Sequence, residues 1–233
     1  GGDLYKYITT NHIKNDTNSN IKDGIKMLLG IDIDKQGIVY YNTKTHDRGA
    51  RARYLELTGE YLSKEYKPEI IQNNDIYYIP MDISKDTFKE NTTAIVDEYD
   101  KKLFNNIWNK FNLETNNFEF IHFGFSIHFF FENSKTINNI MNLIYNNLKD
   151  NGIVLIEFMD SDLIKKLFKE NNTENVIDLD FAKIRKIDNF NKKIGNKIGV
   201  QLKTTSNEDI EYLVDFNYTT ELFNKYSMYL LSS

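Results

Sequence analysis

The fold is decided by residues 118–160, "FEFIHFGFSIHFFFENSKTINNIMNLIYNNLKDNGIVLIEFMD". The aromatic and β-branched run "FEFIHFGF", which starts at Phe118, is followed by a stretch with helical spacing and then by the apolar run "IVLIEF" from Ile153. Short runs of this composition are typical of strands that are buried in a sheet. The order strand, helix, strand therefore predicts an α/β fold with mostly parallel strands.

The pattern continues on both sides of this segment. Two further strand-like runs precede it, "MLLGIDI" from Met27 and "IYYIP" from Ile76, and helical patterns separate them. After about residue 170 the stretch "GNKIGVQLKTTSNEDIEYLVDF" predicts two strands joined by a polar turn. A helix that begins near Tyr218 and a last strand "MYLL" complete the prediction. We therefore expect a mostly parallel sheet that ends in antiparallel strands.

Length and composition set limits on the function. The chain has 233 residues, 40% of them hydrophobic, which is enough for one domain with a packed core. It has no cysteine, so disulfides and thiolate metal sites are excluded, and with four histidines and no H-E-x-x-H spacing we expect no metal. We find no apolar run of about 20 residues and no signal peptide, so we expect a soluble intracellular protein without a membrane partner. The net charge of -5 argues that any nucleic acid is held locally by a few cations.

Glycines and carboxylates lie where a nucleotide-like ligand is held in doubly wound domains. A glycine-rich turn such as the one in "GGDLYKY" lets the backbone approach such a ligand and opens the first helix. Asp32 follows the second strand of that layout and can accept hydrogen bonds from ribose hydroxyls, whereas Asp82 follows the third strand and can accept from an adenine amino group. A helix cap or a turn is the structural alternative for each aspartate. The layout is typical of S-adenosylmethionine-dependent methyltransferases and also of dinucleotide enzymes.

Four motifs resemble those of the mRNA cap guanine-N7 methyltransferases. Residues 118–160 are similar to the segment that runs from the fourth strand through a Q-F-x-x-H-Y turn and a helix to an "LKxGG" turn and the fifth strand. "GGDLYKY" is similar to the second half of the motif G-C-G-K-G-G-D-L-x-K-Y/W, and "EYLVDF" to the segment H-x-E-Y-L-V. "GIDID" with "DRGARARYL" resembles the second-strand region of the large DNA viruses. The order agrees over nearly the whole chain.

The resemblance implies a fold, a reaction and partners. The fold is a Rossmann-like S-adenosylmethionine-dependent methyltransferase domain over residues 1–233, and we expect it to lack its first strand and its last strand. The reaction transfers a methyl group from S-adenosylmethionine to N7 of the 5′ cap guanine, with S-adenosylhomocysteine as product. The partner is capped mRNA, and triphosphatase and guanylyltransferase domains are expected in the same chain or complex. The source is a poxvirus-like or giant-virus-like capping enzyme in the cytoplasm, in a viral factory or a virion.

The resemblance also assigns residues to the cofactor. The opening loop would surround its methionine end, Asp32 would bind the ribose, the segment after the third strand would bind the adenine, and Gly124 stands where the family has a glutamine near the methyl donor. The implied cofactor-binding residues are Gly1, Gly2, Asp3, Asp32, Asp82, Ile83, Ser84 and Gly124.

A second set of residues is assigned to the cap. His128 matches the motif histidine that lies against the guanine edge, and Phe129 fills the tyrosine position, so that stacking is kept and the hydroxyl is lost. Glu211 matches the glutamate that accepts from guanine N1 and the exocyclic amine. Lys6 and Lys44 would face the cap triphosphate, and a solvated helix face is the alternative for both. Of Arg51 and Arg53, which do not share a helix face, at most one would reach the phosphates. These cations are Lys6, Lys44, Arg48, Arg51 and Arg53.

Direct catalytic side chains are not expected, because N7 attack on a sulfonium methyl group requires no proton abstraction. Positioning and electrostatics should then supply the catalysis. His122 and Tyr212 are interpreted as packing residues of their strands. The departures at Gly124 and Phe129 leave a second hypothesis, a methyltransferase-fold scaffold or regulatory module of a capping complex that has lost activity. A methyltransferase for another substrate is a third hypothesis.

Overall fold

The computed structural model describes residues 27–35, 38, 50, 76–85, 88–115, 117–171, 173, 175–203 and 207–231. The chain divides into two compact units, one of residues 1–83 and 90–108 and the other of residues 84–89 and 109–233. The description below treats each unit by itself. The prediction of one domain over residues 1–233 stays a prediction.

The first unit contains one described pair of strands and most of a helix. Strand β1 (Leu28–Asp32) pairs in parallel with β2 (Ile76–Pro80), as the apolar runs predict. A 3-10 helix (Ile83–Lys85) follows β2 and leads out of this unit. Helix α1 (Glu98–Phe111) begins after Asp97, whose Oδ1 accepts hydrogen bonds from the backbone of the first turn. Its buried positions recur at helical spacing and form its inner face: Asp100, Phe104, Ile107 and Trp108.

The second unit begins with the segment that the sequence identifies as decisive. Strand β3 (Phe118–Gly124) pairs in parallel with β4 (Leu148–Glu157), which starts five residues before the predicted apolar run. Because parallel neighbours need a crossover, the chain between them forms a 3-10 helix (Ile127–Glu132) and helix α2 (Ser134–Asn147). Asn133 and Thr136 form a capping box that fixes the start of α2.

The second unit ends in an antiparallel sheet. The strands are in the order β5-β6-β7-β8, and they are β5 (Val176–Asp178), β6 (Ala182–Lys186), β7 (Lys197–Leu202) and β8 (Asp209–Tyr212). Helix α3 (Ser161–Glu170) precedes the sheet and helix α4 (Phe216–Lys225) follows it. The buried side of the sheet packs on α3 in a cluster that consists of Ile164, Phe168, Ile177, Ile184, Ile198, Val200 and Leu213.

One carboxylate connects the two ends of this sheet region. Asp160 is the N-cap of α3, because its Oδ1 accepts from the backbone N–H groups of Asp162 and Leu163. Its Oδ2 accepts from the backbone N–H of Phe216, the first residue of α4. Asp160 and Val214 also form a parallel β-bridge. The starts of the two helices are therefore held together by one side chain.

The structure confirms the α/β class and the antiparallel end. Among the described strands two pairs are parallel and three are antiparallel, so a mostly parallel sheet stays a prediction. Strands β5 and β6 were not predicted, and one predicted element is corrected. The predicted last strand "MYLL" is wrong: residues 228–231 are irregular, and Tyr229, Leu230 and Leu231 are exposed. Turn bonds that follow α4 end at Met228, and no described strand pairs with the residues after it. Among the described residues the strands form three separate sheets of two, two and four strands. The Rossmann-like order of one doubly wound sheet thus stays a prediction.

Candidate functional site

The 3-10 helix 127–132 brings His128 against Glu211 of β8, within the second unit. The distance between His128 Nε2 and Glu211 Oε2 is 3.4 Å, and the side chains are only 5% and 13% exposed. The 83 residues that separate them in sequence are bridged because the 3-10 helix packs on β8. Two residues that the family resemblance assigns to one guanine pocket are thus in contact.

The contact leaves polar atoms without hydrogen bonds. Both ring nitrogens of His128 and Oε2 of Glu211 are buried and have no hydrogen-bond partner in the part of the chain that the structure describes. The short distance between the two groups therefore lacks the geometry of a hydrogen bond. A buried polar group without a partner costs about 1–3 kcal/mol, so such groups call for an explanation in function. A ligand with donors for the carboxylate would supply the missing bonds.

The charge states of the pair follow from burial. Burial raises the pKa of Glu211 to about 7, and the negative charge of Asp209 acts in the same direction. Burial lowers the pKa of His128 to about 4. An ion pair would move each pKa in the opposite direction, because each charge would favour the other. Near pH 7 His128 is therefore neutral, while Glu211 is divided between its protonated and its ionised form.

Two aromatic rings lie exposed beside this pair along the chain. The ring of Phe129 is 51% exposed, and its centroid lies 4.1 Å from that of His128 at an interplanar angle of 53°. Phe125, directly after β3, is also exposed and has a φ of 48°, in the left-handed region that is uncommon for a phenylalanine. Sequence analysis identified Phe129 but not Phe125. The signal for Phe125 was available, because it fills the phenylalanine position of the Q-F-x-x-H-Y motif.

Gly124 and His122 lie at the end of the β3–β4 pair. A Cβ on Gly124 would lie 3.3 Å from the His122 ring and 3.6 Å from Glu157 Oε2, so the neighbours leave little room for a side chain. His122 Nε2 lies 3.2 Å from the same carboxylate oxygen. His122 is thus a half-buried residue of the strand face, as its position in the run "FEFIHFGF" predicts.

The remaining predicted cofactor residues of the described chain lie at the ends of strands or in the following turn. Asp32 ends β1, is exposed, and accepts a hydrogen bond from the backbone N–H of Asp34 at 2.9 Å, the turn contact that was the structural alternative for it. Asp82 is half-buried after β2, and its backbone N–H donates to Ala94 O at 3.0 Å. Ile83 belongs to the first unit, whereas Ser84 belongs to the second and its carbonyl accepts from Asn139.

The other predicted site residues lie outside the described residues. They are the opening-loop residues Gly1, Gly2 and Asp3, and the cations Lys6, Lys44, Arg48, Arg51 and Arg53. Within the described ranges no group of three or more acidic or histidine side chains could hold a metal ion. Over the same ranges no helix has the length and apolar character needed to cross a membrane.

Comparison with known proteins identifies a viral relative but assigns no family. No protein-family model matches the chain. The chain is 26% identical over 213 residues to a protein of Acanthamoeba polyphaga mimivirus that is named "Probable mRNA-capping enzyme". The match covers 87% of this chain and 15% of the length of that relative. The chain is therefore similar to a small part of a much longer protein.

Proposed function

We propose that the chain is the methyltransferase module of a viral mRNA-capping enzyme and transfers a methyl group from S-adenosylmethionine to N7 of the cap guanine. The observation that carries the proposal is the buried contact of His128 with Glu211, whose polar atoms lack hydrogen bonds, beside the exposed ring of Phe129. The similarity to a probable mRNA-capping enzyme supports a role in capping. The strand pairs β1–β2 and β3–β4 are parallel, which is compatible with a Rossmann-like domain.

Glu211 would select guanine. The ionised carboxylate only accepts hydrogen bonds, and guanine presents two adjacent donors, N1–H and the exocyclic amine. Adenine presents an acceptor at N1, which would face the carboxylate unfavourably. A buried carboxylate oxygen without a hydrogen bond, such as Oε2 of Glu211, therefore discriminates more strongly than an exposed one, because the wrong base would leave it unpaired.

Phe129 and His128 would hold the base in place. An exposed phenylalanine offers a flat surface on which a base stacks, a contact worth about 1–3 kcal/mol. His128 is neutral at pH 7 because burial lowers its pKa to about 4. A neutral imidazole can donate one hydrogen bond without placing a positive charge next to a ring that becomes a cation.

The reaction would need no general base. When bound, S-adenosylmethionine supplies a methyl group on a positively charged sulfur. Guanine N7 carries a lone pair and no proton, so transfer of this methyl group would leave a positive charge on the guanine and would require no side chain to remove a proton. Ionised Glu211 stabilises that charge where it develops, so its contribution is larger in the transition state than in the ground state. This accounts for catalysis by positioning and electrostatics alone.

Residues at the strand ends of the first unit would bind the cofactor. Asp32 has an exposed carboxylate at the carboxyl end of a parallel strand, the place where such folds bind a ribose. Asp82 and Ile83 follow the neighbouring strand and would hold the adenine.

The test is methylation by the full-length protein. Labelled S-adenosylmethionine is supplied with RNA that carries either a guanosine cap or an adenosine cap. We expect methylation of the guanosine cap only, a loss of turnover of about 100-fold or more in Glu211→Ala, and a larger effect on kcat than on KM in Glu211→Gln. Glu221→Gln, an exposed glutamate of α4, is the matched control.

The outcomes separate the proposal from its alternatives. Cap binding without turnover would favour the scaffold hypothesis, which rests on the departures at Gly124 and Phe129. Methylation of both caps at equal rates would favour a methyltransferase for another substrate. A Glu211→Ala protein with normal rate and guanine preference would show that the cap is bound elsewhere.

A further inference from the structure

The candidate guanine pocket carries an excess of negative charge. Asp209 and Glu211 are two residues apart in β8, so their side chains lie on the same face of the sheet. Their cross-strand partners in β7 are Val200 and Ile198, which are both apolar and buried. In the part of the chain that the structure describes, no lysine or arginine forms an ion pair with either carboxylate. Two negative charges thus share this face, and the described residues supply no cation to balance them.

His128 does not balance this charge either. Its side chain is only 4% exposed, and its Nε2 lies 3.4 Å from Glu211 Oε2. Burial lowers the pKa of His128 to about 4, so the ring is neutral at pH 7, and neither ring nitrogen has a hydrogen-bond partner among the described residues. A buried charge without a counter-charge is costly. A ligand that brings a positive charge to Glu211 therefore gains more than a neutral ligand of the same shape.

An aromatic surface that suits a cation lies next to the same histidine. The ring of Phe129 is 51% exposed, and its centroid lies 4.1 Å from that of the His128 ring. The face of an aromatic ring attracts a cation electrostatically, in addition to any stacking. The pocket thus combines an uncompensated carboxylate with an exposed aromatic face, and both favour a flat ligand that is positively charged.

N7-methylated guanine is a ligand of this kind. Its ring is flat and carries a positive charge, and it keeps the two donors that a carboxylate accepts from, N1–H and the exocyclic amine. Charge on either partner strengthens a hydrogen bond, so the methylated base binds an ionised carboxylate more strongly than the neutral base does. The same charge strengthens the contact with an aromatic face. Unmethylated guanine offers the same donors without the charge.

We propose that this pocket holds the N7-methylated cap more tightly than the unmethylated cap, so that the module retains its own product. Glu211 and Asp209 supply the attraction for the positive charge, and Phe129 supplies the surface on which the charged ring stacks. The inference rests on the proposed function for the source of the methylated cap, whereas the difference in affinity depends on the pocket alone. Retention gives the module a cap-binding activity in addition to methyl transfer.

The experiment measures the affinity of the full-length protein for three capped dinucleotides by calorimetry at pH 7, with S-adenosylhomocysteine present so that no methyl group is transferred. The first carries a guanosine cap and the second its N7-methylated form. The third carries 7-methyl-7-deazaguanosine, which has the methyl group in the same place but no charge. We expect the N7-methylated cap to bind about tenfold more tightly than the guanosine cap, and the neutral deaza cap to bind within about twofold of the guanosine cap.

Three variants assign the preference to the carboxylates. Glu211→Gln keeps the shape of the side chain but removes its charge, so the preference for the methylated cap should fall to about twofold or less. Asp209→Asn removes the second charge and should reduce the preference by about twofold. Glu221→Gln is the matched control, because it removes one negative charge from an exposed position of α4 and should leave the preference unchanged. Thermal unfolding of each variant verifies that it is folded.

Retention of the product is measured separately by inhibition. Added N7-methylated dinucleotide should compete with the guanosine-capped dinucleotide in the methylation assay, with an inhibition constant about tenfold below the KM of that substrate. Equal affinity of the wild-type protein for both caps would overturn the inference. Tight binding of the deaza cap would do the same, because the methyl group and not the charge would then be recognised. A preference that survives in Glu211→Gln would also overturn it.

The failure of the inference and the failure of the proposed function give different results. A protein that prefers the methylated cap but transfers no methyl group would refute the proposed function and support the inference, because the pocket would then be a cap-binding site only. Normal methylation by a protein that binds both caps equally would support the proposed function and refute the inference.

Discussion

Glu211 should destabilise the folded protein at alkaline pH, and Glu211→Gln tests this directly. Burial raises the pKa of this carboxyl from 4.5 to about 7, with Asp209 acting in the same direction. Below pH 4.5 the carboxyl is protonated in both the folded and the unfolded protein, and its contribution to the free energy of unfolding is fully present. As the pH rises through 7 this contribution is lost, because the unfolded protein ionises more readily than the folded one. Each pH unit corresponds to about 1.4 kcal/mol, so above pH 7 the ionised carboxylate lowers the free energy of unfolding by up to about 3 kcal/mol.

His128 acts in the opposite direction. Burial lowers its pKa from 6.5 to about 4, so its contribution is present above pH 6.5 and is lost as the pH falls through 4. Between pH 4.5 and 6.5 the two slopes have equal size and opposite sign. The wild-type protein should therefore show little dependence on pH from this pair. Substitution of either residue should expose the pH dependence of the free energy of unfolding that the other residue causes.

We expect Glu211→Gln to raise the free energy of unfolding at pH 8 by about 1–3 kcal/mol. The gain is smaller than the cost of the ionised carboxylate, because the buried amide also needs hydrogen-bond partners. Its stability should then fall by about 1.4 kcal/mol per unit from pH 6.5 to 4, because His128 remains. The assay is urea unfolding between pH 4 and 8.5, with hydrogen exchange of β7 and β8 as a local readout and Glu221→Gln as control. A Glu211→Gln protein less stable than wild type at pH 8, or with an unchanged pH profile, would refute the reasoning.

Four further predictions concern ligand binding and the loop between β6 and β7. Cap affinity should fall about tenfold per unit as the pH drops below 7, because Glu211 must be ionised to accept from guanine, and titration of Glu211→Gln with a cap analogue should lack this dependence. Phe129→Leu should weaken cap binding about fivefold or more through lost stacking while Phe129→Tyr does not, as measured by fluorescence quenching. Asp32→Ala should weaken S-adenosylmethionine binding by about 1.5–3 kcal/mol in calorimetry of the full-length protein, with unchanged heat refuting its role. Gly195→Ala should cost about 1–2 kcal/mol in thermal unfolding, because its φ is positive and the new Cβ meets the Glu132 carbonyl.

The strands that consist of continuous apolar runs could be predicted from the sequence. β1, β2, β3 and β4 are runs rich in β-branched, leucine and aromatic side chains, so their composition identifies them as strands. Burial is not uniform along these runs, because Ile153 and Leu155 of β4 are exposed. β5 was missed because it has only three residues, and β6 was missed because it is rich in basic residues. The segment "AKIRK" nevertheless alternates buried Ala182 and Ile184 with exposed cations. "MYLL" was predicted as a strand on composition alone, but a strand also needs a partner, which local sequence does not reveal.

For the candidate site too, the sequence predicts some features, whereas others depend on the folded structure. The family motifs name His128 and Glu211, and the structure brings them into contact, while their role in cap binding stays a prediction. Their missing hydrogen bonds and shifted pKa values depend on burial by distant segments, which no local pattern contains.

The C-terminal sheet lies within a long loop of the chain whose two ends are joined by Asp160. The chain leaves at Asp160, runs through α3 and four strands, and returns to the same carboxylate at Phe216, 56 residues later. Because the entropy of closing a loop grows only slowly with its length, residues inserted between β5 and β8 would change this closure by a few tenths of a kcal/mol. The sheet could therefore acquire insertions in evolution while its two anchoring helices keep their starting points. Relatives with sheets of very different length could in this way keep the same contact between the starts of α3 and α4. Asp160→Ala would remove the side-chain hydrogen bonds that join these two helix starts.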